Sequence, residues 1–230
     1  IGRSGSFTVK NYVYLFHSED LRSMIFGTLI LAVIVAVIST ILGTLGAIGA
    51  FYSSKKLKRP IHLMNQIPVV NADVVTGFSI CVLLIVFFKM DKASYIPLVI
   101  GLVSLCSPFV YLSVIPRLKQ MDPQLYEAAL DLGCSPFGAL RKVVLPQLTS
   151  GIVSGFMMSI TLTLDDYFIT TYTKPSMFDT ISTYVINATK GAQTDVKTAL
   201  WALSTIIFLI VIFVVIGMNH TGRKENDHEI

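Results

Sequence analysis

Three acidic residues lie within otherwise apolar stretches of the chain: Asp73 and the adjacent pair Asp165 and Asp166. A carboxylate inside a membrane span costs roughly 2.5–3.5 kcal/mol on insertion scales, so such residues are first interpreted as functional. Carboxylates attract cations, which makes a cation pathway the chemistry to test. Because neighbouring residues on a helix point about 100° apart, one of the pair can face a pathway while the other caps a helix or bonds a loop.

Aromatic residues predicted near the outer level of the same spans support this interpretation. Aromatic faces attract ammonium groups and cover methylene chains. An interfacial aromatic belt is the alternative explanation for each of them, and a hydrogen-bonded cap is the alternative for the acidic pair. The full set that we single out for a cation pathway is Asp73, Asp165, Asp166, Tyr167, Tyr184 and Trp201.

No pattern for catalysis or for metal binding accompanies these residues. Cys81, Cys106 and Cys134 are far apart, and the four histidines are isolated from one another. The chain has no G-x-x-x-x-G-K-[ST] phosphate loop, so it cannot bind ATP by that mechanism. We therefore expect no metal and no cofactor in this chain. Its 18 Lys and Arg are scattered between apolar segments, which argues against nucleic-acid binding.

The composition indicates that lipid surrounds most of the chain. Of 230 residues, 53% are hydrophobic and only 14% are charged, too few to cover a soluble domain of this size. A helix needs about 20 apolar residues to cross a hydrocarbon core of about 30 Å. The sequence predicts an all-α, polytopic membrane helix bundle with five spans, at residues 24–52, 67–88, 95–116, 148–170 and 198–218.

Basic residues orient these spans. The densest cluster, Lys55, Lys56, Lys58 and Arg59, places the first connection in the cytoplasm. Alternation then makes the long connection 117–147 and the tail 219–230 cytoplasmic, and leaves segment 1–23 outside. A polar segment that reaches the outside without a signal predicts an additional upstream helix, hence six helices in the full-length protein. The predicted membrane domain covers 24–218.

The connection 117–147 carries signals for two short helices. Asp122 precedes a proline in an N-cap pattern, and Gly133 follows the first helix where a left-handed C-cap is expected. Ser135-Pro136 repeats the N-cap signal. Leu125, Ala128, Ala129 and Leu132 are predicted to share one apolar face, with Glu127 and Asp131 on another. Acidic rather than basic flanks favour a protein partner over lipid headgroups.

The same connection resembles the EAA loop of ABC-importer permeases. That motif reads Glu-Ala-Ala, three residues, Gly, nine residues, then Ile-x-Leu-Pro; the matching residues here are Glu127, Ala128, Ala129, Gly133, Val143, Leu145 and Pro146. Val143 is the single departure. The resemblance implies that the loop is a coupling helix that fits a groove on a separate ATPase subunit. Small residues there permit close approach, and Glu127 offers a charge to a basic partner residue.

A second resemblance concerns cargo. The run from Ser159 to Asp166 is similar to the Ser-x-Thr-Leu-Ser-x-Asp-Asp stretch of the C-type permeases of spermidine/putrescine importers. The run Asn71-Ala72-Asp73-Val74-Val75 resembles their Pro-Asp-Ile-Val stretch, with Ala72 in place of Pro. This resemblance implies a bacterial inner-membrane permease for polyamines, with its C-terminus in the cytoplasm.

The same resemblance implies the partners. They are a second homologous permease subunit, two ATPase subunits that bind ATP and Mg²⁺, and an extracytoplasmic polyamine-binding protein. Two alternatives remain open at this point: an importer for another small solute such as ferric iron or thiamine, and an ATPase-independent channel or membrane scaffold. Acidic residues in the spans count against an anionic cargo, and a channel has no use for an EAA loop.

Overall fold

The computed structural model describes residues 19–190 except positions 72, 92 and 123, together with residues 205, 209 and 212. Within that part of the chain all regular secondary structure is helical, which confirms the predicted all-α class. In chain order the elements are α1 (Glu19–Tyr52), α2 (Lys55–Val70), α3 (Asp73–Cys81), the π-helical turn π1 (Val82–Phe87), α4 (Ile96–Gln120), α5 (Gln124–Asp131), α6 (Pro136–Ala139), the π-helical turn π2 (Leu140–Val144), α7 (Leu145–Gln147), α8 (Thr149–Asp165), α9 (Phe168–Thr173) and α10 (Ile181–Lys190).

Two helices are long and apolar enough to cross a membrane by themselves. They are Arg22–Tyr52, within α1, and Ile96–Gln120, which is α4. These helices match the predicted spans 24–52 and 95–116. α1 begins at Glu19, so its first residues fall in the segment that we predicted to lie outside. Two further spans result if each of two sharply bent helix pairs is counted as one.

The predicted span 67–88 is wrong as a single helix. Its first residues belong to α2, and the chain then bends by 109° before α3 and π1. Asn71 adopts an extended backbone with ψ of 149°, and Pro68 in the preceding turn has no N–H to donate to the helix. Hydropathy had joined these segments because it measures apolar content, not the continuity of helical hydrogen bonds.

The predicted span 148–170 is also interrupted. α8 ends at Asp165, Asp166 is extended, and the short helix α9 follows. At its other end α8 is bent by 70° from the segment Pro136–Gln147. Of the predicted span 198–218, only residues 205, 209 and 212 are described, and they are helical. The tail 219–230 and residues 1–18 lie outside the described residues.

The core forms where α1, α4 and α8 pack side by side. Small residues set the spacing between these helices: a Cβ at Gly43 of α1 would lie 2.6 Å from Val110 Cβ, and one at Gly155 of α8 would lie 3.0 Å from Val110 Cγ1. Close backbone approach of this kind replaces the hydrophobic effect as the source of helix association in lipid. The other side of α1 exposes large apolar residues, including Phe26, Ile30, Ile41 and Leu45.

Candidate functional site

The connection between α4 and α8, residues 121–148, is called here the coupling loop. It begins with Asp122, whose Oδ1 accepts a hydrogen bond from the backbone N–H of Gln124 at 2.9 Å. This bond satisfies one of the free donors at the start of α5. Ser135 does the same for α6, because its Oγ accepts from the N–H of Gly138 at 3.2 Å. Both predicted helix starts are therefore confirmed.

Gly133 ends α5 in the left-handed conformation that its position predicted, with φ of +84°. Its N–H donates to the carbonyl of Leu130 at 2.9 Å, and the N–H of Cys134 donates to the carbonyl of Ala129 at 3.0 Å. This pair of bonds is the Schellman motif. The loop geometry therefore depends on a residue that tolerates positive φ, and a Cβ there would meet nothing within 4 Å.

The two faces of α5 differ from the predicted arrangement. Ala129 is only 7% exposed, whereas Ala128 and Leu125 are exposed and Leu132 is 86% exposed. The four residues therefore do not share one exposed face, because Ala129 is buried. Periodicity grouped them correctly along the helix, but it does not show that α5 packs against α6 and π2 of the same loop.

The outward side of the coupling loop combines apolar and acidic residues. Leu132 and Phe137 are 86% and 75% exposed, and Glu127 and Asp131 are exposed as well. Neither acid forms an ion pair with another described residue. These four residues are called the coupling surface. Exposed large apolar side chains on a loop that also exposes charge are typical of a protein-binding surface.

The inward side of the coupling loop belongs to the bundle core. Tyr126 of α5 lies against Tyr52 at the end of α1, with ring centroids 4.9 Å apart. Val144 and Leu148 are fully buried in the same cluster as Ala47 of α1. The coupling loop is therefore packed against α1 and α4.

Leu145 and Pro146 lie at the corner where the loop enters α8. Leu145 is half-buried and Pro146 is exposed. The preceding turn is π-helical, and the chain bends by 70° between Gln147 and Thr149. Sharp helix bends of this kind occur at prolines and π-turns. The EAA-type Leu-Pro pair thus marks a corner in the backbone.

The acidic pair is divided between two roles. Asp166 is 9% exposed, and its Oδ2 accepts two hydrogen bonds from Thr170, from the backbone N–H and from Oγ1, both at 2.8 Å. Its carboxylate holds the first turn of α9. Asp165 has an exposed side chain, while its carbonyl oxygen accepts from Ser182 Oγ at 3.2 Å. Of the two, only Asp165 presents its side chain outward.

The short helix α9 is inserted between α3 and α4. Ile169 is fully buried, and a Cβ at Gly77 of α3 would lie 3.1 Å from its backbone nitrogen. A Cβ at Gly101 of α4 would lie 2.8 Å from Ile169 Cγ2. Asp73 begins α3, one turn before Gly77, so its helix packs directly on the helix that follows the acidic pair.

The predicted aromatic residues do not form one cluster. Tyr167 is half-buried and contacts the ring of Phe168, with centroids 5.3 Å apart. Tyr184 lies on α10 and lines a separate cavity of about 530 Å³ together with Tyr95 and Asp179. Trp201 lies outside the described residues. Neither acid of the pair lines the cavity to which Tyr184 belongs.

Sequence reasoning missed two features of this region. Lys174 forms an ion pair with Asp179 at 2.8 Å and so secures the segment between α9 and α10. The glycines Gly77 and Gly101 make room for α9. The ion pair could have been predicted, because a lysine and an aspartate lie five residues apart in an apolar region. The role of the two glycines could not, because α9 and the helices that it contacts are distant in sequence. Among the described residues no cluster of His, Cys, Asp or Glu could hold a metal ion.

Comparisons with known proteins agree with this architecture. The family model described as binding-protein-dependent transport system inner membrane component matches residues 39–221. The spermidine/putrescine transport system permease protein PotC of Escherichia coli K12 is 28% identical over 221 residues, which covers 95% of this chain and 81% of that protein. The putrescine transport system permease protein PotI of the same organism is 28% identical over 209 residues, covering 85% and 70%.

Solved structures share the fold. A bacterial ABC transporter involved in the import of the acidic polysaccharide alginate matches with a TM-score of 0.71 at 18% identity, covering 96% of this chain and 85% of that one. The MetNI methionine ABC transporter matches with a TM-score of 0.68 at 14% identity, covering 90% and 98%. Since the family model spans most of the chain, this protein belongs to the family of inner membrane components of binding-protein-dependent transport systems.

Proposed function

We propose that this chain is a transmembrane permease subunit of an ATP-driven importer for polyamines such as spermidine and putrescine. The observation that carries the proposal is the coupling surface, an EAA-type loop in which Leu132, Phe137 and Glu127 are exposed. A separate ATPase subunit docks there. It binds ATP and Mg²⁺, so this chain needs neither cofactor itself.

The contacts of the coupling loop support a transmission route. An ATPase that moves α5 also moves Tyr126 against Tyr52, and therefore acts on the end of α1. The buried residues Val144 and Leu148 connect the same loop to α1 and α4. Closure of two ATPase subunits opens the bundle outward, where a binding protein delivers the cargo. A second homologous permease completes the pathway.

The cargo assignment rests on the relatives and on charge. PotC and PotI, each 28% identical to this chain, are named as permeases of spermidine/putrescine and putrescine transport systems. Polyamines are extended cations, and an exposed carboxylate at Asp165 suits an ammonium group. Asp166 is already engaged by Thr170, so we assign it to holding the fold, and we keep Asp73 and Asp165 as the acidic candidates for cargo passage. Tyr167 lies directly beyond the pair.

Uptake tests the cargo. The complete complex, reconstituted in vesicles, is supplied with ATP, binding protein and labelled spermidine. We expect ATP-dependent uptake in the wild type and a fall of roughly tenfold in Asp165→Asn, because one ammonium contact is lost. Asp91→Asn is the control, since Asp91 is exposed and accepts only a local bond from the Ala93 N–H at 2.9 Å.

Each result decides between functions. Full uptake in Asp165→Asn removes Asp165 from the pathway. Active ATPase without spermidine uptake assigns the importer to another small solute, such as ferric iron or thiamine. Uptake that needs no ATP indicates a channel. Glu127→Lys is the separate test of coupling: transport that is unaffected by this change, in a protein that reaches the membrane, contradicts the importer itself.

A further inference from the structure

A basic pocket of about 420 Å³ lies between the last turns of α1 and α4 and the first half of α2. Its polar rim consists of Lys58, Arg59 and His62 from α2 and Lys119 from α4. Its floor is apolar, made by Ala50, Tyr111 and Ile115, which are all buried. Neither the coupling surface nor the acidic pair contributes a residue to this pocket.

The positive charge of the pocket is not balanced within the described part of the chain. No described Asp or Glu lies within ion-pair distance of Lys58, Arg59 or Lys119. The segments that supply the rim, 53–70 and 112–121, contain no acidic residue at all. Lys58 instead lies over the ring of Phe51, 4.9 Å from its centroid. Cationic groups that line one pocket repel one another, so an anion in the pocket is stabilised by all of them.

The position of the pocket points to the source of that anion. α1 and α4 are the two helices long enough to cross a membrane, and the pocket lies at the end of both that also carries the coupling loop. This end is therefore at the level of the lipid headgroups. Beside the pocket, α2 exposes an apolar stripe formed by Leu63, Met64, Ile67 and Val70.

A ligand for this site must be negatively charged, must have apolar chains that fit the exposed stripe, and must be present at the depth of the headgroups. An anionic phospholipid has all three properties. We propose that the basic pocket binds the phosphate group of such a lipid, with Arg59 and Lys119 as the main charges. Its acyl chains lie along the exposed stripe of α2. Basic pockets between membrane helices on the cytoplasmic side are typical sites for anionic headgroups. The volume of this pocket is within the range of small-molecule sites.

Lipid retention tests the proposal. The complete complex, purified in detergent and stripped of lipid, is titrated with phosphatidylglycerol or phosphatidylcholine and analysed by native mass spectrometry. The variant Arg59→Gln/Lys119→Gln removes two pocket charges. The matched control, Lys56→Gln/Lys142→Gln, removes two exposed charges outside the pocket at the same end of the bundle. A basic residue that contacts the anionic headgroup contributes roughly a factor of five to its binding. Exposed charges outside the pocket are screened by salt and contribute much less.

We therefore expect the pocket variant to bind phosphatidylglycerol about 25-fold more weakly than the wild type. The control should change by less than twofold, and Arg59→Lys/Lys119→Arg should restore binding. Phosphatidylcholine should bind weakly to all of them. Equal losses in the pocket variant and the control, or no loss in either, overturn the proposal, because the lipid then responds only to general surface charge.

Two further measurements distinguish other anions. Inorganic phosphate at 10 mM should leave bound phosphatidylglycerol in place; if it displaces the lipid, the site is one for free phosphate and the lipid assignment fails. The ATPase subunit should copurify equally with the pocket variant and the control. Loss of that subunit from the pocket variant, with lipid binding intact, identifies a protein contact and also overturns the proposal.

Discussion

Acidic residues and glycines have different roles in the two regions that flank α8, which are the coupling loop and the break before α9. At the coupling loop, Glu127 is exposed and has no ion pair within the described structure, whereas at the break between α8 and α9 Asp166 is buried and accepts two bonds from Thr170. The glycines differ in the same manner. Gly133 is required for its positive φ and has open space around it, while Gly77 is required because α9 lies directly against it.

This difference separates residues that hold the fold from residues that we propose to contact a partner. Around the break between α8 and α9, contacts with neighbouring helices constrain each group, so a substitution should act on stability. Around the coupling loop, local backbone geometry is constrained but several side chains are exposed, so a substitution should act on assembly. Paired variants at the two ends of α8 test this distinction.

The largest loss of stability is expected for Asp166→Ala. This change removes both bonds to Thr170 and leaves a buried N–H without that acceptor, at a cost of about 3 kcal/mol in the free energy of unfolding. Asp166→Asn should cost about half as much, because the amide oxygen still accepts but carries no charge. Thermal unfolding of the detergent-solubilised complex measures both. Asp165→Ala is the control and should be nearly neutral; equal losses would contradict the division of the pair.

A smaller loss is expected for Gly77→Val. The added side chain meets the backbone of Phe168 and Ile169, which cannot move without displacing α9, so about 2 kcal/mol should be lost. Gly49→Val on α1 is the matched control and should lose less stability, since a Cβ there has nothing within 4 Å. The same thermal measurement applies. A Gly77 variant as stable as the Gly49 variant would show that α9 is not tightly packed.

Gly133→Ala should cost about 1 kcal/mol, because a side chain disfavours the left-handed conformation even where space is available. Gly133→Asn should cost less, since asparagine enters that conformation more readily. Hydrogen exchange at the end of α5 reports the effect locally. If alanine were tolerated as well as asparagine, conformation would not be the constraint at this position.

The smallest effect on stability is expected at the coupling surface. Leu132→Ser and Phe137→Ser should change the free energy of unfolding by less than about 0.5 kcal/mol, because both side chains are exposed. Copurification of the ATPase subunit should nevertheless fall about tenfold, since each variant removes an apolar anchor. Met177→Ser, at a fully exposed position near the other end of the bundle, is the control. Unchanged copurification would remove these residues from the docking surface.

Local features of this protein were determined by the sequence alone. The all-helical class and two of the spans follow from apolar segments of sufficient length. The starts of α5 and α6 and the left-handed Gly133 follow from capping residues that act within a few positions. The EAA-type loop was identified from fixed spacing. All these properties depend on neighbours along the chain, which the sequence displays directly.

The roles of the acids, of the apolar stripe of α5 and of the basic residues depend on packing between distant parts of the chain. Asp165 and Asp166 look equivalent in the sequence, and Thr170 distinguishes them because the backbone breaks between α8 and α9. Ala129 is buried while its neighbour Ala128 is exposed, since α5 packs against α6 and π2. Arg59 and Lys119 meet in one pocket although they are far apart in sequence. Burial and charge pairing are set by residues that are distant along the chain, and hydropathy and periodicity contain no information about which of them will meet.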